Sequence, residues 1–572
     1  MKKISCKRCR FRKLRCSRTE PCQSCSSANQ PCEYRDSDCK TRPVSTEYTA
    51  SLESRVAWLE SFILSLADAS PEDRESRLKS FRATARPHNE ANQLATLLPL
   101  KYCQGSLQPG PGGSLIYHGP TSIHRTWSTQ PTAGLSLNIP PDSAQHPISI
   151  SLSASLLATS YESITEIAGF NLEDEDEAIT NGLLLFFQWQ YSHFMFIYRE
   201  AFLRDHFSDR QNCKYWSPGL LLSMCALGLQ MSSDTRERDL GDKFYTAAES
   251  VCILSGLTQP SIITVQTILC LAFYALGQGD LSKSWGLSGI AFRMAQDLGF
   301  QKDPADWILQ DFSIATNEDI EIRRRIYWGC YNSDKLISLI LGRPVQLPWH
   351  DASVAQTDVL PDFPQMHAWL PAGFSNDASA SGKSSSLILC FREQIRLSRS
   401  IERLLSGLAF LRAAPDEVAW EGCVGDMTVE LYKWQDSLPL AARWNKWEPC
   451  SAVLLPSVAV LHLLFYSTLI ALNFDQAEAD PSTKPQESSR DICVASAEAI
   501  TCLVRKYRQQ HGLRFAPIIL IYSISQAART LRSFGAYQDE TAYLYSVLEE
   551  CSSTWELAGE ALGYIHQGQN VV

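Results

Sequence analysis

Beyond about residue 154 the apolar positions recur at intervals of three and four, the period of helices that bury one face. Val265, Ile268, Leu269, Ala272 and Leu276 share such a face in a segment that opens after Pro260 and closes at Gly277. A second helix is predicted over residues 284–298, where Gly286, Gly289, Ala291 and Ala295 would let a neighbouring helix approach closely. Ile322, Ile326, Cys330 and Tyr331 begin a third, stopped by Gly342-Arg343-Pro344. Strand-type alternation is not evident on this scale, so residues 154–572 are expected to form one all-helical domain of antiparallel pairs. The longest apolar run, residues 452–474, contains Pro456, His462, Ser467 and Thr468, groups poorly suited to lipid, and reads as a core helix and not a membrane span. The acidic run at residues 173–177 reads as the solvated start of a helix, where carboxylates meet the positive end of the dipole.

Upstream the period narrows to a heptad. Thr49, Leu52, Val56, Leu59, Ile63 and Leu66 alternate spacings of three and four, the a and d positions of a coiled coil. A short dimerisation helix is therefore predicted over residues 48–67, with Leu52, Val56, Leu59 and Ile63 as its seam and Arg55 and Glu60 placed to pair across a parallel dimer. Under three heptads the seam is marginal alone, and the competing reading is an amphipathic helix packed on its own chain. Residues 37–47 and 68–153 read as linkers, the second rich in Ser, Pro, Gly and Thr and broken most clearly at Pro109-Gly110-Pro111-Gly112-Gly113. One apolar island in it, Leu115 to Ser122, reads as a docking turn.

Composition changes this picture in one respect. At 572 residues and 45% hydrophobic the chain can hold a large core, and its net charge of -10 taken alone argues against a nucleic-acid partner. The charge is unevenly spread: residues 1–18 hold nine Lys or Arg and no Asp or Glu, a basic head on an acidic body.

The same head carries six cysteines, Cys6, Cys9, Cys16, Cys22, Cys25 and Cys32, spaced C-x2-C-x6-C-x5-C-x2-C-x6-C. Each half offers a CxxC pair and a third thiolate, and two tetrahedral zinc ions need eight ligand places, so two of the six sulfurs must bridge. A site so filled has no position for water or substrate and is structural. Residues 1–36 are too few to bury a core, and metal must hold them folded. No apolar leader precedes the cysteines, so a reducing compartment and metal are expected in place of disulfides. Cys39 follows with no ligand place left and reads as a plain thiol; the remaining twelve cysteines are scattered and read mostly as small buried hydrophobes.

The spacing, with the wording CKRCRFRKLRC and PCQSC...PCEY, resembles the binuclear zinc-cluster (Zn2Cys6) DNA-binding domain of fungal transcription factors. The resemblance implies Cys6 and Cys22 as the bridging ligands, Pro21 as the turn between halves, and double-stranded DNA as partner. It assigns Arg12 and Lys13 to the base edges of a CGG-like triplet, where their donors suit the acceptors of guanine. A short helix after Cys9 would set that pair side by side with Leu14 packed inward, while Lys7, Arg8, Arg10 and Arg15 would hold phosphates. Stretches at residues 186–202, 217–228, 284–299 and 323–344 are similar to the fungal-specific transcription factor regulatory domain, over about residues 180–350. There Trp189, Phe194, Phe196, Trp285 and Trp328 read as core, with a ligand pocket as the alternative.

The expected molecule is thus a small zinc-held helical DNA-binding domain plus a large all-α regulatory domain. Its expected function is a nuclear, homodimeric regulator that meets transcriptional coregulators and a small-molecule effector, and the resemblance alone suggests service to a secondary-metabolite gene cluster. The rival readings are a nucleic-acid-independent scaffold or a metabolite sensor with a structural cluster. An enzyme finds no site: Gly382-Lys383-Ser384 lacks the glycine a phosphate loop needs five positions earlier, where Asp377 stands, and no HExxH or GxSxG pattern occurs.

Overall fold

The computed structural model describes residues 6–12, 14–17, 19, 21–32, 45–67, 69–70, 73–75, 77–78, 106–109, 115–118, 122–123, 176–191, 195–208, 213–253, 261–301, 303, 317–355, 380–413, 417–447, 452–478, 484–534 and 537–567. They fall into two compact units, Met1–Glu53 and Ser54–Val572. The first holds α1 (Lys7–Phe11), α2 (Gln23–Ser26) and the start of α3 (Thr46–Ala67).

The second unit is built almost wholly from helices. These are α4 (Asp176–Leu185), which runs into a wider turn at Phe186–Gln190, then α5 (Arg199–His206), α6 (Pro218–Leu229), α7 (Thr235–Val251), α8 (Ile262–Gly277), α9 (Leu281–Asp297) and α10 (Asn317–Leu341). After them come α11 (Ala380–Ala413), α12 (Glu417–Ser437), α13 (Pro456–Glu478), α14 (Lys484–His511), α15 (Ile518–Ser533), α16 (Gln538–Cys551) and α17 (Glu556–Gln567). Consecutive helices pack as neighbours in α6 with α7, α8 with α9, α10 with α11 and α13 with α14.

Local chemistry sets the ends. Ser217, Ser261 and Asp280 accept backbone N–H groups three residues on, from Leu220, Thr264 and Lys283, and Pro218 fills the first position of α6. At the far end of α10, Gly342 takes φ +63, and Arg343 N–H reaches back to Ser338 O at 3.0 Å, the close a left-handed glycine permits.

Several of the described helices lack a broad solvent face, α8 and α15 as well as α13 and α6. In α13, the predicted core helix, 89% of the apolar window is buried, against α11, α12, α14 and α15. In α6 every residue is buried. His462 of α13 is 1% exposed, with Nε2 3.1 Å from Trp444 N and 3.0 Å from Ala442 O. Burial holds its pKa down at about 4, partly countered by the Ala442 carbonyl. The unfolded chain would take that proton near pH 6.5, so stability present above pH 6.5 is lost as pH falls towards 4, by about 3 kcal/mol in all. Thermal unfolding followed from pH 7 to 4 should show this loss, and His462→Gln should flatten it.

Several expectations need correcting. The glycines expected to bring helices together, Gly286 and Gly289, do not: a Cβ at Gly286 would meet nothing within 4 Å, and one at Gly289 only the end of Arg293. The close crossing lies between α4 and α6, where a Cβ on Gly228 would sit 2.0 Å from Gly182 O. Residues Gly382, Lys383 and Ser384 lie inside α11, not in a loop. In the region read as a linker, Ser106–Pro109 and Leu115–His118 form an antiparallel pair, β1 and β2, with Leu107 opposite Tyr117. Ser122 and Ile123 are buried, and Ile123 N–H donates to Ile340 O at 3.1 Å, while residues 119–121 of the island read as a docking turn lie outside the described residues. Of the aromatics read as core, Phe196 and Trp328 are buried, Trp189 is half-buried and stacks on Phe515 at 4.4 Å, and Trp285 lies half-buried under the Arg343 guanidinium. Phe194 and Cys39 lie outside the described residues.

The segment that follows Gly342 is held by charge. Asp334 and Lys335 of α10 are both fully buried, with Lys335 Nζ 2.9 Å from Asp334 Oδ2 and 3.5 Å from Glu402 Oε2 of α11, over the Tyr331 ring at 3.8 Å and bonded to Leu347 O. Asp334 accepts Gln346 N–H at 3.0 Å and Leu347 N–H at 2.9 Å, and Glu402 accepts Trp349 N–H at 2.9 Å and Tyr331 O–H at 2.8 Å. Every partner here is satisfied, so the chain after the helix stop is stitched back onto α10 and α11.

Candidate metal centre and nucleic-acid face

The two halves of the head repeat one local design. Cys6 directly precedes α1 and Cys9 lies within it; Cys22 caps α2 and Cys25 lies within it. A spacing of three on a helical start puts both sulfurs of each pair on one side. Backbone N–H groups point at sulfur: Cys9 N to Cys6 Sγ at 3.4 Å and Cys22 N to Cys32 Sγ at 3.2 Å. The loop between halves is tied by Gln23 N–H to Ser17 Oγ at 2.8 Å and Thr19 Oγ1 to Pro21 O at 3.0 Å.

This brings together Cys6, Cys9, Cys22 and Cys25, all fully buried, with their sulfurs within 4.8 Å of one another. Cys16 and Cys32 pack against them, partly buried. The Sγ separations are 3.7 Å for Cys6 to Cys22, 3.6 Å for Cys6 to Cys25 and 3.6 Å for Cys9 to Cys22. A tetrahedron with metal–sulfur bonds of about 2.3 Å has edges of about 3.8 Å, so the donor set fits zinc.

Burial pushes the Cys6 and Cys22 thiols up to about 12 and Cys9 up to about 11. Cys25 moves the other way: burial raises it, but hydrogen bonds from Arg8, Cys22, Cys6 and Cys32 outweigh that and bring it to about 7. A cation taken up here must therefore displace protons, and affinity for it falls with pH.

The basic face is only partly as expected. Phe11 is 91% exposed, and Arg12 and Arg15 are exposed beside it. Leu14, expected to pack inward, is 44% exposed, because α1 ends at Phe11 and residues 14–17 run on without helix. Arg8 commits Nη1 to Ser24 O at 3.0 Å and Cys25 Sγ at 3.7 Å, binding the first half to the second. Lys13 lies outside the described residues, as do the side chains of Lys7 and Arg10. The role of Arg8 escaped sequence reasoning because one more cation among nine carries no mark of its partner.

α3 carries two stripes. Along the expected seam, Leu52, Val56 and Ile63 are exposed and Leu59 is half-buried. About a quarter turn away, Arg55, Trp58 and Phe62 form the second, and Arg55 and Trp58 meet α12. Arg55, expected to pair with Glu60 of a second copy, instead pairs with Asp426, Nε to Oδ1 at 2.7 Å.

Residues 4–41 match the family described as the fungal Zn(2)-Cys(6) binuclear cluster domain, and residues 183–436 match the fungal specific transcription factor domain, which extends past the 180–350 span read from sequence. Uncharacterized transcriptional regulatory protein C777.02 of Schizosaccharomyces pombe is 30% identical over 99% of this chain and 90% of its own. Activatory protein CHA4 of Saccharomyces cerevisiae is 26% identical over 97% of this chain and 85% of its own. The nitrogen assimilation transcription factor nit-4 of Neurospora crassa is 26% identical over 98% of this chain and 54% of its own. No solved structure matches the chain. With a zinc-binding cluster at its head, a helical regulatory domain behind it and relatives along its whole length that are named as transcription regulators, the chain belongs to the fungal Zn(2)-Cys(6) transcription factors, a family of DNA-binding regulators.

Proposed function

We propose that this protein is a nuclear homodimer that binds two zinc ions in each head and reads a CGG-like triplet with each. The observation that carries the reading is the sulfur geometry. Cys6 and Cys22 lie 3.7 Å apart, and each has a further close sulfur, Cys25 for one and Cys9 for the other. Two tetrahedra sharing the Cys6–Cys22 edge, completed by Cys16 and Cys32, account for all six ligands.

On that frame Arg12 and Lys13 read bases, while Lys7, Arg10 and Arg15 hold phosphate, and Arg8 adds to them with whatever its bonds to Ser24 and Cys25 leave. The seam Leu52, Val56, Leu59 and Ile63 joins two copies, and the helical body takes the coregulators and the effector. Two relatives are named an activatory protein and an enhancer activator, which favours activation as the sign of regulation.

In the full chain, Arg12→Ala and Lys13→Ala should relax the preference for the triplet by about 1 to 3 kcal/mol each. Arg10→Ala should weaken all sequences alike and lower the slope of log affinity against log salt by about one unit. Titration of matched and scrambled duplexes at several salt concentrations separates the two. Three variants that act identically on both duplexes would refute the division of labour.

A further inference from the structure

The second stripe of α3 meets a facet of α12 shaped to take it. Gly422, Gly425 and Asp426 stand three and four apart on α12, so two residues without side chains and one carboxylate share a face. A Cβ on Gly422 would lie 2.8 Å from Trp58 Cη2, and one on Gly425 would lie 3.3 Å from Arg55 Cδ. Arg55, with its side chain 11% exposed, grips Asp426 through two bonds, Nε to Oδ1 at 2.7 Å and Nη2 to Oδ2 at 2.9 Å. Its guanidinium lies over the Trp58 ring at 4.3 Å, and Trp58 stacks on Phe62 at 5.4 Å with the rings within 4° of parallel. Phe62 is buried.

While that face is covered, the seam is not: Val56 is 52% exposed and Ile63 is 62% exposed. We propose that docking on α12 holds α3 formed with its seam outward, so that the Arg55–Asp426 and Trp58–Gly422 contacts set how strongly a second copy of the chain binds. A seam of under three heptads is too short to form reliably by itself. A helix already fixed along one side adds the second copy without first having to fold. Arg55, Trp58, Gly422 and Asp426 are then positioning residues for the dimer; none of them belongs to the seam that the second copy would meet. This inference rests on the dimer reading above.

The test uses the full chain and sedimentation across a concentration series, with no DNA, so that half-site spacing is not a variable. Val56→Asp charges the seam at an exposed position. Gly422→Val drives a branched side chain into Trp58, and Asp426→Asn removes the charge from the grip. Thermal unfolding of the body checks that each variant is folded, and amide exchange over residues 54–66 reports whether α3 is still docked. If the clamp variants leave the seam formed about a tenth of the time, self-association weakens about a hundredfold, because both copies bear the loss, and exchange speeds up. The charge swap Arg55→Asp with Asp426→Arg should restore both, which a general loss of folding would not allow.

If Val56→Asp leaves self-association unchanged, the dimer reading fails and the inference goes with it. If Val56→Asp abolishes self-association while Gly422→Val and Asp426→Asn leave it unchanged, the dimer stands and the inference alone is overturned. Tighter association in the clamp variants would equally overturn it, since α12 would then be competing with the second copy.

Discussion

A strong chelator should unfold the amino-terminal head and abolish duplex binding while the helical body keeps its own melting transition. The buried residues of the head cluster are four cysteines, and its largest described apolar side chain, Phe11, is 91% exposed, so among the described residues of the cluster no apolar core stands in reserve. In domains this small the metal contributes roughly 10 to 16 kcal/mol of folding free energy, as much as the whole stability of a typical domain. Cys6→Ser or Cys22→Ser should be at least as damaging as any other ligand change, because each would remove a place from both tetrahedra. Elemental analysis should find two zinc ions per chain; one would overturn the shared edge. Because Cys6, Cys9 and Cys22 are raised thiols, zinc affinity should fall as pH falls.

Lys335→Met should be among the most destabilising single changes in the body, by about 3 to 5 kcal/mol. The substitution fits by length but leaves Asp334, fully buried, without its cation, and removes the cation shared with Glu402 and the Tyr331 ring. Asp334 would keep only neutral partners, the N–H groups of Gln346 and Leu347 and the Ser338 hydroxyl. The double variant Asp334→Leu with Lys335→Met removes both charges and should recover part of the loss. Chemical denaturation of the three proteins gives the comparison; a single variant as stable as the parent would show that the network carries little.

What was legible in the sequence and what was not divides by range along the chain. The CxxC halves and the helix stop at Gly342-Arg343-Pro344 are local, fixed by spacing of three and by the backbone freedom of one glycine, and they could be read directly. The long apolar helix was equally plain, since hydropathy needs no partner. The Arg55–Asp426 grip joins residues 371 apart, and nothing near Arg55 marks its partner, so heptad spacing suggested Glu60 of another copy instead. A second stripe of Arg55, Trp58 and Phe62, spaced three and four, was there to be found beside the seam. Glycines were misassigned for a related reason. Gly286 and Gly228 look alike in sequence, and only the register of the facing helix decides which one meets a backbone at 2.0 Å.

The absence of a solvent face on α13 also bears on synthesis. The helix leaves the ribosome before two of the four helices that cover it, since α14 and α15 end at Ser533, about 55 residues after Glu478. At about 5 to 20 residues per second that interval lasts roughly 3 to 11 s. For those seconds the sides that α14 and α15 will cover stay open on a helix long and apolar enough to cross a bilayer. His462, Ser467, Thr468 and Asn473, buried later against helical partners, are during that window the polar groups that make lipid a poor refuge for it. The order of elements along the chain thus turns side chains that pack quietly in the finished fold into guards on its birth.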